Sequence, residues 1–293
     1  MGDQPSKPSD YVDTEEVTVK NEEDGYEIPC KLWKPKGKIR ACALFVHGGM
    51  FSKGDRESHQ AVSCCLAAQV GIAVMTVTFR DGSVTTHSSG KSISDLKSAA
   101  NEVMKRYYNE PFGVVGSSSG GFFALALCNA MEAGKIKYCI PLCPVANPHT
   151  RAVYLGHCID GTTPLSSGTD LYSVRQPPQR AQEILSNQMQ YFKTFNMMIK
   201  AADSVLENKN DVPTLLILGS LDANIPHQVT QHHVDNWATR TVIIGGAGHE
   251  IQNCPPMLPN KTYIRDIEIF LQNLFKDDPY DPLWRPEDNP AEN

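Results

Sequence analysis

The chain has 293 residues, 41% of them hydrophobic and 20% charged, a balance that suits a soluble globular protein with a sizeable core. Its net charge of −6 comes without a long run of Lys or Arg, which excludes the electrostatic footprint of a nucleic-acid or anionic-membrane binder. No apolar stretch approaches the ~20 residues of a membrane-spanning helix. The polar, proline-containing start from Met1 to Tyr11 does not read as a secretory leader, so a cytoplasmic location is expected. Nine cysteines, an odd count lying mostly within apolar patterns, suit reduced buried thiols in an intracellular protein better than a disulfide framework. No Cys-x-x-Cys or His-x-x-x-His pair suggests a structural zinc.

Residues 1–13 read as a flexible arm. Glu16 to Lys20 alternates and is rich in Val and Thr; across the polar turn Asn21 to Gly25, Tyr26 to Lys34 alternates again, predicting a hairpin. Ala41 to Val46 is a continuous apolar run, as expected of a strand buried on both faces, and it ends in His47-Gly48-Gly49-Met50-Phe51. His59 to Val70 predicts a helix stopped by Gly71, and Ile72 to Phe79 predicts another buried strand. After a Gly/Ser-rich loop over Ser83 to Lys91, a helix opens at Ser92 with Leu96, Ala99, Ala100, Val103, Met104 and Tyr107 at helical spacing. Phe112 to Val115 is a short strand, Phe122 to Met131 a helix, and Gly116-Ser117-Ser118-Ser119-Gly120 lies between them. Lys137 to Val145 predicts a further strand.

From Ala146 to Asp211 the alternation stops. Pro148, Pro164, Pro177 and Pro178 break the first half, whereas Gln179 to Asn208 has the character of one or two helices. An excursion of this length between core strands reads as a cap inserted at about 147–211. The strand pattern resumes at Thr214 to Leu218 and again at Thr241 to Ile244, with a short helix over Gln231 to Trp237 between. Tyr263 to Phe275 is an amphipathic closing helix, and residues 277–293, with four prolines, read as an extended or disordered tail. The main domain is thus expected over 14–276. A hairpin followed by alternating strands and helices predicts a mostly parallel sheet with helices on both faces, whose ligand site lies beyond the carboxyl ends of the strands.

Four stretches occupy such strand ends: His47 to Phe51, Gly116 to Gly120, Gly219 to Asp222 and Gly245 to His249. A sharp strand-to-helix turn aims Ser118 Oγ outward, and the following helix points its free N–H groups at the same spot. A serine hydroxyl is a poor nucleophile at neutral pH and needs a base, which in turn needs an orienting acid. His249 is the candidate base and Asp222 the candidate acid, in the chain order Ser, Asp, His found on this architecture. Gly49, Met50 and Ser119 are the candidate backbone donors of an oxyanion hole, each worth roughly 3–4 kcal/mol of barrier. His47 is expected to brace that loop. The other histidines, His59 among them, lack a strand-end context with a suitable acid downstream. Phe51, Tyr191, Phe195 and Met198 are candidates for the substrate pocket.

His47-Gly48-Gly49, Gly116-Ser117-Ser118-Ser119-Gly120-Gly121, Gly219-Ser220-Leu221-Asp222 and Gly248-His249 together resemble the α/β-hydrolase superfamily. Within it they are similar to the carboxylesterase branch that includes hormone-sensitive-lipase-like esterases and arylformamidases. The likeness spans about Glu16 to Phe275. Met50-Phe51 stands where the lipase-like branch has a third glycine and an aromatic, and Gly-Ser-Ser-Ser-Gly replaces its Gly-Asp-Ser-Ala-Gly. The resemblance implies a central eight-stranded sheet, a serine triad, an acyl-enzyme route on a small-molecule ester and no cofactor. Amidase or arylformamidase action on the same residues, and a non-catalytic ligand-binding member of the fold, are the alternatives.

Overall fold

The computed structural model describes residues 7–81, 91–162, 175–194, 206–236, 238–249, 251, 263–276 and 281. Its centre is one eight-stranded sheet: β1 (Val12–Lys20), β2 (Glu27–Pro35), β3 (Ala41–Val46), β4 (Ile72–Val77), β5 (Phe112–Ser117), β6 (Tyr138–Leu142), β7 (Leu215–Gly219) and β8 (Arg240–Ile244). The spatial order is β1-β2-β4-β3-β5-β6-β7-β8. Only β2 breaks the parallel set, running antiparallel to both β1 and β4. From β4 to β8 every neighbouring pair is parallel.

The apolar runs of β3, β4 and β5 are buried at every position, as strands covered on both faces must be. Their alternating side chains serve two cores. Cys42, Leu44 and Val46 of β3 face one core, shared with α2 (Ser92–Arg106), α3 (Ser119–Ala130), α4 (Pro148–Asp160) and α5 (Pro178–Thr194). Ala41, Ala43 and Phe45 face the other, built with α1 (Gln60–Val70) and the closing helix α7 (Tyr263–Phe275). A short helix, α6 (Gln231–Asn236), precedes β8. Gly71 ends α1 at φ 73°, a left-handed stop that a residue without Cβ adopts freely.

Two elements differ from expectation. Strand β1 begins at Val12, opposite Pro35, four residues earlier than its pattern marks, and Pro8–Tyr11 forms a 3-10 turn before it. Second, Pro148 opens α4 rather than breaking structure. It stands at the first helical position, where its missing N–H is no loss, and Asn147 Oδ1 accepts from Thr150 N at 3.3 Å to cap the turn. The loop expected at 83–91 and the tail at 277–293 lie almost wholly outside the described residues.

A buried ion network ties the hairpin to the sheet. Asp95, fully buried at the start of α2, accepts from Arg80 N (3.0 Å), Arg80 Nε (2.9 Å), an Arg80 terminal nitrogen (2.6 Å) and Asn21 Nδ2 (2.6 Å). Arg80 also pairs with Asp24 at 2.8 Å and lies over the Tyr26 ring, 4.2 Å from its centre. Turn, post-β4 segment and helix are thereby fixed to one another. Among the described residues, eight cysteines (30, 42, 64, 65, 128, 139, 143 and 158) are buried and form no disulfide. Burial pushes Cys30 and Cys42 up to about 12, well away from the reactive thiolate.

Candidate active site

The parallel strands end on one edge, and the connections leaving β3, β5, β7 and β8 meet there. Ser118 stands between β5 and α3 at φ 55° and ψ −118°, a conformation that costs free energy for a residue with Cβ. Its surroundings over-determine it. Ser118 N donates to Leu142 O at 2.9 Å, while Ser118 O accepts from Gly121 N at 3.0 Å and Val145 N at 2.9 Å. The tight turn also needs bare backbone at two positions. A Cβ on Gly116 would strike the Gly120 carbonyl and Ala124, and one on Gly120 would strike the carbonyls of Val46 and His47.

After β7, the Asp222 carboxylate is nearly inaccessible to solvent. Its Oδ1 accepts from the backbone N–H groups of Asn224 and Ile225, both at 2.8 Å, which leaves Oδ2 pointed at His249. His249 Nδ1 lies 2.9 Å from Asp222 Oδ2, and its Nε2 lies 2.9 Å from Ser118 Oγ. A carboxylate can only accept, so Nδ1 carries the ring proton and Nε2 receives the serine hydroxyl. The two loops that carry acid and imidazole are laced together: Ser220 N donates to Ile244 O, Leu221 N to Ala247 O and Gly246 N to Ser220 Oγ. Ser118, Asp222 and His249 therefore form one hydrogen-bonded chain.

The Gly48-Gly49 turn after β3 is clamped from both sides. Gly48 N donates to His59 Nε2 at 3.3 Å, and Gly48 O accepts from His47 Nδ1 at 2.8 Å. His47 was expected to brace this loop; His59 was not. Its only sequence signal is its place, eleven residues on in the same connection, at the mouth of α1. Burial lowers the His47 pKa, only partly offset by the bond to Gly48 O and the charges of Asp81 and Asp55. Below pH ~6.5 the unfolded chain takes up a proton that the folded ring resists, so stability is lost as pH falls through that value. As the pH falls below ~6.5 the wild type should therefore lose stability through this group, at a slope of no more than about 1.4 kcal/mol per pH unit. A denaturant titration of His47→Gln at the same pH values should show that part of the slope removed; equal slopes would exclude a buried neutral imidazole at 47.

A cavity of about 350 Å³ opens above Ser118. Gly48, Gly49, Met50, Lys53, Gly54, Ser58, His59, Arg180 and Asn224 line it with Ser118 and His249. Phe51 and Tyr191 are not in that lining. They stack on each other at 4.8 Å and join Phe122, Phe123 and Phe192 in a closed aromatic cluster, with Phe51 only 1% exposed. Phe51 points into this core because its backbone, like that of Met50, turns to positive φ. Phe195 and Met198 lie outside the described residues.

Sequence reading also missed Arg151. The residue is 1% exposed, and its guanidinium bonds Asn224 O at 3.2 Å, Asn224 Oδ1 at 2.6 Å and Gln188 Oε1 at 2.9 Å. Gln188 of α5 in turn donates to Pro148 O, and Tyr154 Oη donates to Ala223 O at 2.6 Å. Burial lowers the Arg151 pKa, and the nearby Asp222 carboxylate acts in the opposite direction. Helices α4 and α5 are thus bolted to the loop that carries Asp222. Cys143 packs beside the chain, its sulfur within 4.8 Å of ligand atoms on Asp222 and His249. Both ring nitrogens of His249 are already engaged, so a metal at this point would have to displace one of those bonds.

A family model described as the alpha/beta hydrolase fold matches residues 43–212, more than half of the chain, and the protein belongs to that family. A search of curated proteins finds no match. Among solved structures, the chain resembles a hyperthermophilic esterase from the archaeon Pyrobaculum calidifontis, with 19% identity and a TM-score of 0.66 over 90% of this chain and 86% of that one. A thermophilic carboxylesterase cloned from a metagenomic library, EstE1, matches at 18% identity and TM-score 0.63, covering 90% and 88%. Carboxyl esterase 2 of the mycorrhizal fungus Tuber melanosporum matches at 14% and 0.65, covering 90% and 87%. At these identities the likeness speaks for the fold. Among the described residues, no helix is long and apolar enough to cross a membrane.

Proposed function

We propose that the protein is a serine hydrolase that cleaves a carboxylic ester through an acyl-enzyme. The observation that carries this reading is the hydrogen-bonded chain from Asp222 through His249 to Ser118, with both contacts at 2.9 Å. Ser118 Oγ attacks the substrate carbonyl as its proton passes to His249 Nε2. Asp222 keeps the imidazole in the tautomer that can accept this proton and stabilises the imidazolium that results. The amides of Gly49, Met50 and Ser119 bind the oxyanion, and the clamp that His47 and His59 place on Gly48 keeps two of these donors in position before reaction. His249 then protonates the departing alcohol. Water, activated by the same ring, hydrolyses the acyl-enzyme and restores Ser118.

No step requires a cofactor. The segment 147–211 serves as a cap on the 14–276 domain, and Arg180 of α5 supplies part of the cavity lining. The eight buried cysteines that form no disulfide among the described residues favour a reducing compartment such as the cytoplasm.

A fluorophosphonate probe reacts only with an activated serine, and it should label the purified protein stoichiometrically at one peptide, the one containing Ser118. His249→Gln should slow that labelling by about a thousandfold, since general-base assistance contributes roughly 10²–10⁴. An unlabelled native protein would remove the nucleophile assignment.

A further inference from the structure

The charge of the cavity identifies the class of ester, on the assumption that the serine hydrolase reading above is right. An aliphatic acyl or alcohol group calls for walls of apolar side chains. Here Met50 is the single apolar side chain among the described lining residues, because Phe51 and the aromatics around it face into the core. Apart from the two imidazoles, His59 and His249, the ionisable residues in the wall are Lys53 and Arg180, and no Asp or Glu lines it among the described residues. This holds in a protein whose net charge is −6. Among the described residues the wall that holds Ser118 thus carries two cations and no anion, in a molecule that is acidic overall.

Both groups have donors to spare. The Lys53 ammonium has no hydrogen-bond or ion-pair partner among the described residues; its backbone N–H is held by Gly49 O at 3.1 Å, which ties this residue to the glycine turn beside Ser118. Arg180 gives one terminal nitrogen to Glu183 at 2.5 Å, three residues along α5, with both side chains more than 40% exposed. A guanidinium has five N–H donors, and among the described residues only Glu183 engages those of Arg180, which leaves donors for the two-pronged contact that a planar carboxylate accepts.

We propose that the substrate is an ester whose acyl or alcohol part carries a second, ionised carboxylate, and that Lys53 and Arg180 bind that carboxylate while Ser118 attacks the ester carbonyl. The chemistry at the scissile bond is unchanged: the Ser118 Oγ–carbonyl bond forms, the ester C–O bond breaks, and the proton travels through His249 to the leaving oxygen. The distant carboxylate takes no part beyond orienting the substrate.

Matched pairs test this, with hydrolysis followed by proton release. On the acyl side, 4-nitrophenyl hydrogen adipate is compared with 4-nitrophenyl hexanoate; on the alcohol side, 5-acetoxypentanoate is compared with pentyl acetate. In at least one pair the anionic ester should have a kcat/KM at least tenfold higher, and the preference should shrink as NaCl is raised from 20 mM to 500 mM. In the double variant Lys53→Met, Arg180→Met that ratio should fall towards one, mainly through a higher KM for the anionic ester. Because the readout is a ratio within one preparation, partial misfolding cancels. Equal or greater efficiency on the neutral member of both pairs, a ratio unmoved in the double variant, or no turnover of any of the four by a protein whose Ser118 still takes the fluorophosphonate, overturns the substrate class alone. No turnover together with no labelling overturns the hydrolase reading and this proposal with it.

Discussion

Ser118→Ala should lower kcat on 4-nitrophenyl esters by about a millionfold, the loss documented for removal of a triad serine, while leaving the folded structure in place. The reasoning begins with the backbone. Ser118 is held at positive φ by three backbone hydrogen bonds, none of which involves its hydroxyl. Alanine can occupy the same turn at the same strain, so the circular dichroism spectrum and the melting temperature should stay near wild type. What disappears is the atom that accepts the acyl group. His249 then has no hydroxyl to deprotonate, and the residual rate reflects binding and oxyanion stabilisation alone. The three side chains act as one unit, so Ser118→Ala combined with His249→Ala should be scarcely worse than either change alone. A variant that retained wild-type turnover would show that another group carries the reaction, and multiplicative losses in the double variant would show that the chain does not work as a relay.

The second large effect concerns stability. Asp95→Ala should destabilise the protein by about 3–5 kcal/mol, the range for breaking a buried ion pair by removing one partner. Asp95 is wholly buried, and it satisfies one backbone N–H, two side-chain nitrogens of Arg80 and the amide of Asn21. Alanine leaves those donors facing a space that cannot accept from them. Arg80 retains Asp24, but that carboxylate is nearer solvent. A domain of this size should lose roughly 10 °C in melting temperature. Asp24→Ala removes a more exposed partner of the same arginine and should cost clearly less. Calorimetry on the two variants decides the matter: equal losses would mean that burial of Asp95 is not what gives the network its weight.

The elements most legible in sequence were those whose chemistry is local. A fully apolar run of six residues announces a doubly covered strand, and β3 occupies the very residues Ala41–Val46 that its pattern marks. The small residues around Ser118 announce an abrupt turn because no larger residue fits between Gly116, Gly120 and the neighbouring carbonyls. Ser118, Asp222 and His249 could be set in order because each follows a strand. What was hidden depends on partners far away in the chain. Val12 joins β1 because Pro35 lies across from it, although the polar residues 13–16 give little alternation of their own. Pro148 looked like a breaker, since the cap that makes it a helix start is a single side-chain contact from Asn147. His59 and Arg151 carry no motif: one matters through a bond to a peptide eleven residues back, the other through a loop seventy-three residues on. Phe51 was misassigned to the pocket because positive φ at two successive residues swings it inward, and no local pattern reports that turn.

Arg151 has a further consequence, for how such molecules can change over generations. A segment inserted between core strands is ordinarily the part of a protein that drifts most freely, since it can be lengthened, shortened or swapped without disturbing the sheet. Between β6 and β7 that freedom is curtailed, because Arg151 of α4 holds the backbone and amide of Asn224, two residues from Asp222. A transplanted helix pair lacking Arg151 and Gln188 would strand Asn224 without its donors and loosen the very loop that orients His249. The α4–α5 pair and the loop must therefore be inherited, or redesigned, as a matched set.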